Sequence, residues 1–261
     1  MGLFEKKYCD FCGKKIGLLG NKKLEDGNMC RECAAKLSPW FSERRHSSKE
    51  EIAAQLAYRE ENRAAVDAFR TTRSIGRYKK LLLDEDAGKF TVTSARDLTE
   101  ENPDILDFLQ ITGCDLDINE TRHELKTTDK DGKSVSYVPP RFEYSYDFRV
   151  SIHVNHPYFD EMQYSLSNGY VKTGERQMTA SPAGWRVNQV GIITAPGLRD
   201  YYEYLNMGRE IRETLENIRM NCRQEAASAA APKVAVTCPY CGASTVPDEK
   251  GCCEYCGSAL K

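Results

Sequence analysis

Phe142-Glu143-Tyr144-Ser145-Tyr146-Asp147-Phe148-Arg149-Val150-Ser151-Ile152-His153-Val154 alternates without a break. Every even position is aromatic or aliphatic, and the odd positions are polar or charged. A period of two over so many residues is that of a β-strand with one face in a core and the other in water. The pattern resumes at Met162, Tyr164 and Leu166 after a turn at His156-Pro157. Upstream, Leu81 and Leu83 precede a turn at Asp84–Gly88, Phe90-Thr91-Val92-Thr93 continues the strand, and Cys114, Leu116 and Ile118 alternate with Asp115, Asp117 and Asn119. Residues 75–194 therefore read as β, with the Gly- and Pro-punctuated stretch Thr173 to Gln189 read as a long loop.

Helices flank this region. Ser48 and Glu51 form a capping box ahead of an Ala-rich segment, so residues 48–70 are expected to be helical, with Ile52, Leu56, Val66 and Phe69 as a thin apolar stripe. Tyr201, Leu205, Gly208, Ile211, Leu215, Ile218 and Cys222 step by three or four and predict an amphipathic helix over 198–222. An Ala-rich stretch with Pro232 follows and reads as a linker.

The cysteines set the two ends. Eight of the eleven fall into Cys-x-x-Cys pairs: Cys9/Cys12 with Cys30/Cys33, and Cys238/Cys241 with Cys253/Cys256. Cys114, Cys222 and Cys252 are left over; Cys253 is preferred to Cys252 because only Cys253 lies in a Cys-x-x-Cys-Gly frame. Without a secretory signal, such pairs read as thiolate ligands rather than disulfides. Zinc takes four soft donors in a tetrahedron, and a closed four-cysteine set leaves no position for water, so both sites are expected to be structural. Modules this small bury too little surface to fold without such a staple. The thiolate set suits iron as well as zinc.

The C-terminal halves, C-P-Y-C-G and C-E-Y-C-G, repeat one knuckle across eleven residues and carry the zinc-ribbon signature. At the other end, C-D-F-C-G-K-K-I-G (Cys9–Gly17), L-E-D-G (Leu24–Gly27) and C-R-E-C-A-A-K-L-S-P-W-F (Cys30–Phe41) resemble a bacterial zinc-finger domain family of unknown function. The resemblance covers about the first 45 residues and implies metal ligation by Cys9, Cys12, Cys30 and Cys33, with no activity attached. Knuckle, hairpin and a helix bearing the second pair is a treble-clef order. A β-meander closed by a C-terminal helix resembles, by element order, the pleckstrin-homology and GRAM-like superfold.

The expected architecture is α+β: a four-cysteine module at 1–45, a connecting helix at 46–73, a β-rich PH/GRAM-like domain with C-terminal helix at 74–222, a flexible linker at 223–237 and a zinc ribbon at 238–261. Its expected cofactor is two structural Zn2+ ions.

Charge narrows the function. The formal net charge of -2 gives no global basic field. Between Asp84 and Asp131 fourteen residues are acidic and five basic, which disfavours nucleic acid. Lys6, Lys7, Lys14, Lys15, Lys22, Lys23, Lys36, Arg44 and Arg45 make the first module basic, which keeps an anionic membrane surface as an alternative partner. Lys6 stands where a myristoylation signal has Ser or Thr, and no run approaches a membrane span, so a cytoplasmic protein is expected. His153 and His156 read as a solvated strand end rather than ligands, and Cys114 as buried filler. Tyr240 and Tyr255, at matching knuckle positions, read as packing against the ribbon hairpin, with a small protein-binding face as the alternative. No Ser-His-Asp set, phosphate loop or dinucleotide fingerprint is legible. The resulting reading is a zinc-binding, non-enzymatic interaction protein with a protein partner. Alternatives are a lipid-surface adaptor or an enzyme whose site is dispersed along the chain.

Overall fold

The computed structural model describes residues 6–17, 19–181, 184–187, 195–230, 235–248 and 250–260. The chain divides into two compact units, residues 1–219 and 220–261. Helix and sheet are mixed, and no helix is long and apolar enough to cross a membrane.

In the first unit, a two-stranded hairpin, β1 (Lys22–Lys23) and β2 (Asn28–Met29), leads into the one-turn helix α1 (Arg31–Ala34). Helix α2 (Lys49–Ala68) follows. Its expected capping box is present, with the Glu51 amide donating to Ser48 Oγ and the Ser48 amide donating to the Glu51 carboxylate. Asp26 adds a second cap, accepting from the Lys49 amide at 2.8 Å.

Two antiparallel sheets form the body. The first, in the order β3 (Arg73–Ile75), β4 (Lys80–Asp84), β5 (Lys89–Thr93) and β6, is a simple meander. A short helix α3 (Leu98–Glu101) precedes β6 (Leu106–Asp107). The second sheet is organised by β8 (Ser134–His156), which pairs along one edge with β7 (Ile111–Thr128). Along its other edge it pairs with both β9 (Phe159–Ser165) and β10 (Val171–Ser181). Strand β11 (Gly184–Val187) completes a hairpin with β10. The long loop expected from Thr173 is therefore corrected to a hairpin where described. Its glycines mislead because Gly174 sits at a bulge with φ +105°, inside the strand rather than ending it.

The even positions of β8 face inward, as the alternation requires: Tyr144, Tyr146, Phe148, Val150, Ile152 and Val154 are all buried. They meet Leu81, Leu83, Phe90 and Val92 of the first sheet and Tyr204, Leu205, Ile211 and Leu215 of helix α4 (Ala195–Ala230). Gly208 lets α4 approach closely, since a Cβ there would lie 2.5 Å from Leu116 Cδ1 of β7. Helix α4 continues to Ala230, so the segment expected to begin a linker at residue 223 is helical over its first eight residues. Ala and Glu there favour helix.

The second unit, beyond the end of α4, contains a two-stranded hairpin of β12 (Val236–Thr237) and β13 (Ser244–Thr245).

Candidate metal centres

Each four-cysteine group converges. The sulfurs of Cys9, Cys12, Cys30 and Cys33 lie within 4.8 Å of one another, as do those of Cys238, Cys241, Cys253 and Cys256. Individual sulfur–sulfur approaches are 3.6 Å for Cys12–Cys30, 3.6 Å for Cys238–Cys256 and 3.7 Å for Cys241–Cys253. A tetrahedron with zinc–sulfur bonds of about 2.3 Å has edges of about 3.8 Å, so both donor sets fit such an ion. The groups could hold metal ions; their geometry does not distinguish zinc from iron.

Three of the four knuckles share one local construction. Gly13, Gly242 and Gly257 follow the second cysteine of a pair with φ of +68°, +69° and +71°, the left-handed region that glycine enters without strain. Each glycine amide then donates to the carbonyl of the first cysteine of its pair: Cys9, Cys238 and Cys253. The fourth pair uses a helix instead. Cys30 is the N-cap of α1, its sulfur accepting from the Cys33 amide at 3.4 Å. The Cys30 amide donates in turn to Cys9 Sγ at 3.3 Å. Burial pushes the Cys9 thiol up, but backbone donation from Cys30, Phe11 and Cys12 outweighs it and brings the pKa to about 6. Ser258 acts likewise on Cys256, holding it at about 6. One thiol of each set is thus readily ionised.

Residues 7–55 match the family model of a domain of unknown function, DUF4428. No curated protein and no solved structure matches the chain. The DUF4428 match extends past the expected module boundary at residue 45 into α2, and the structure gives the reason. Ile52 of α2 is fully buried in the same small core as Leu24, Met29 and Leu37. The L-E-D-G turn is fixed against the rest of the match as well. A Cβ at Gly27 would lie 2.7 Å from Asp10 Oδ2, the atom that accepts from the Asn28 amide.

Beyond the ligands, a buried polar cluster ties this module to the β-rich body. Asp104, just before β6, accepts from Arg59 Nη1 at 2.7 Å, Ser38 Oγ at 2.8 Å and Tyr58 Oη at 3.2 Å. Arg59 also donates to the carbonyls of Lys36 and Asn102. Asn62 donates to Asn102 Oδ1 and to the Pro103 carbonyl, both at 2.8 Å, and accepts from the Ile105 amide at 3.0 Å. Asn102 closes the ring by donating to the Arg59 carbonyl, holding φ +52° at the end of α3.

Around it lie aromatic contacts. Phe41 meets Tyr158 edge-on, and Lys79 Nζ stands 4.5 Å from the Trp40 ring centre. Sequence reasoning misses this cluster. Its signal is the thinness of the α2 stripe: Gln55, Arg59 and Asn62 occupy the face between Ile52 and Val66, so that face is buried but polar.

The remaining candidates separate. His153 Nε2 bonds Asp115 Oδ2 at 2.9 Å on the surface. The solvated reading of His156 is corrected: it is half-buried, with its ring centre 4.1 Å from that of Phe159 and 5.0 Å from that of Tyr58. Pro157 makes the turn, but Tyr158 and Phe159 fold back over the imidazole. Among the described residues the two cysteine groups are the only metal-competent clusters, and neither includes a histidine. Cys252 stands outside its cluster. Cys114 is buried in the core, and burial pushes its pKa up to about 12. Tyr240 and Tyr255 do not pack against the hairpin, being 73% and 72% exposed. Their place in the tight ligand turns points them outward.

Proposed function

We propose that this chain is a non-enzymatic interaction protein whose two terminal modules are held by structural zinc, the first a treble clef and the second a zinc ribbon. The observation that carries the reading is the closure of both sites. Four cysteine sulfurs meet at each, and no histidine or carboxylate joins them among the described residues. A complete four-thiolate shell stabilises a fold and leaves no coordination position for substrate or water.

Two further features support the interaction half of the reading. A first sheet of four strands, a second antiparallel sheet and a closing helix favour a pleckstrin-homology-like body, a scaffold suited to presenting loops and strand edges. Tyr240 and Tyr255 hold matching, exposed positions on the C-terminal module, and exposed tyrosine suits a protein partner. The expected site of action is the cytoplasm.

Elemental analysis by mass spectrometry, on protein purified without added metal, tests the first half. About two zinc ions per chain are expected; one or none, or iron in their place, overturns structural zinc. A photo-crosslinking residue placed at Tyr240 or Tyr255 in living cells tests the second. Discrete adducts are expected that vanish when the crosslinker is moved to Glu225, and background labelling alone removes the partner claim for this face.

A further inference from the structure

A cleft of about 440 Å3 opens where three turns of the first unit meet, and no cysteine lines it. Its walls come from the β3–β4 turn, the β9–β10 connection and the first turns of α4. Three of its ten lining residues are tyrosines. Tyr78 and Tyr170 are 52% and 66% exposed, while Tyr204 is buried at 6%. Packing explains Tyr204 and leaves the other two aromatic rings at a concave surface unexplained.

Local contacts shape both turns. Gly76 opens the β3–β4 turn with φ +131°, where a Cβ would lie 2.6 Å from the Lys79 carbonyl oxygen. On the other side, Ser167 Oγ donates to the Gly169 carbonyl at 2.6 Å, fixing the bend that precedes Tyr170. The aromatic walls are thus carried by constrained backbone, which lowers the ordering cost of binding.

The charges around the cleft select the ligand. Lys172 is neutralised by Glu143 at 2.9 Å, and Arg77, which also bonds Tyr204, by Glu203 at 3.2 Å. Asp200 lines the cleft, and among the described residues no ion pair offsets it. The site therefore combines three tyrosines with one carboxylate that stands outside any ion pair among the described residues. Aromatic faces attract cations, and a quaternary ammonium suits them best because it is large, weakly hydrated and has no N–H to satisfy. We propose that this cleft binds a small trimethylammonium compound of the size of choline, the tyrosines facing the methyl groups and Asp200 supplying the counter-charge. The proposal goes beyond the zinc-stabilised interaction reading and does not depend on it.

The test is a titration followed through the backbone amide signals of residues 167–172. Choline is the probe, with 3,3-dimethylbutan-1-ol as its neutral isostere and phosphocholine as its anionic counterpart. Saturable shifts with choline are expected, at least tenfold weaker binding of the alcohol, and weaker binding of phosphocholine because Asp200 repels phosphate. Tyr78→Ala and Tyr170→Ala should each weaken choline about fivefold or more, the scale of one cation–π contact. Asp200→Asn should weaken choline but not the alcohol. Both tyrosines are exposed, so these variants should fold, and unchanged spectra away from the cleft will show it. No saturable shift with choline, or equal affinity for choline and the alcohol, overturns the proposal.

Discussion

Arg59 and Asp104 form an ion pair at 2.7 Å with side-chain exposures of 6% and 0%. Asp104 is fully bonded by Arg59, Ser38 and Tyr58, which offsets its loss of hydration. Asp104→Ala strands the arginine charge, and the expected cost is about 3–5 kcal/mol by urea unfolding. The double variant Arg59→Met with Asp104→Leu removes both charges and should recover much of that loss. A loss under about 1 kcal/mol in Asp104→Ala, the value of an ordinary exposed pair, would refute the bridge.

Cys252 and Cys253 are neighbours with different surroundings. Cys253 is buried with its sulfur in the cluster, whereas Cys252 Sγ lies 3.8 Å from the Lys250 carbonyl. Cys252→Ser should leave the metal content per chain unchanged, and Cys253→Ser should remove one ion. Equal metal loss from both variants would mean that the ligand choice is wrong.

Metal removal should act locally before it acts globally. Small modules of this kind draw folding free energy from the ion. In excess chelator, amide exchange is expected to accelerate across residues 9–37 first. The amides of Phe148, Val150 and Ile152, in the centre of β8, should stay protected. Simultaneous loss in both regions would show that the metal module and the body unfold as one step.

His156 ties stability to pH. Burial holds its pKa below the ordinary value of about 6.5, against an opposing pull from Asp104. The unfolded chain then binds a proton more readily than the folded one, so protonation favours unfolding. This contribution is intact above about pH 6.5 and is lost as pH falls from there through the depressed folded value. Chemical unfolding curves should show that slope, and His156→Phe, which keeps an aromatic ring against Phe159, should flatten it. An unchanged slope in the variant would assign the effect to other groups.

Two glycines with positive φ separate strain from crowding. A Cβ at Gly132, at φ +77° in the turn between β7 and β8, would meet nothing within 4 Å, whereas one at Gly76 would collide with the Lys79 carbonyl. Gly132→Ala should cost about 1 kcal/mol from backbone strain alone. Gly76→Ala should cost more, up to about 3 kcal/mol, because backbone must move as well. Similar losses in thermal unfolding would contradict the close approach at Gly76.

What is legible in the sequence is whatever repeats with a local period or sits in a local turn. The inward face of β8, the capping box of α2 and the cysteine pairs all follow from spacing within a few residues. The β10–β11 hairpin is not legible, because a bulge at Gly174 breaks the alternation inside a strand. The Asp104 cluster is hidden for another reason. Ser38, Arg59 and Asp104 are far apart along the chain, and each alone looks like an ordinary surface residue. His156 misleads because Tyr58, which covers it, comes from α2 nearly a hundred residues earlier.

The division drawn after residue 45 has a physical cost that chain position conceals. One carboxylate, Asp104, is shared across it: Ser38 reaches it from the four-cysteine side, and Tyr58 and Arg59 from α2. Cutting there would leave a fragment without the aliphatic anchor Ile52, and a remainder in which Trp40 no longer shields Lys79. The first fifth of the chain is therefore fastened to the larger fold through a shared buried carboxylate, not a bead strung in front of it.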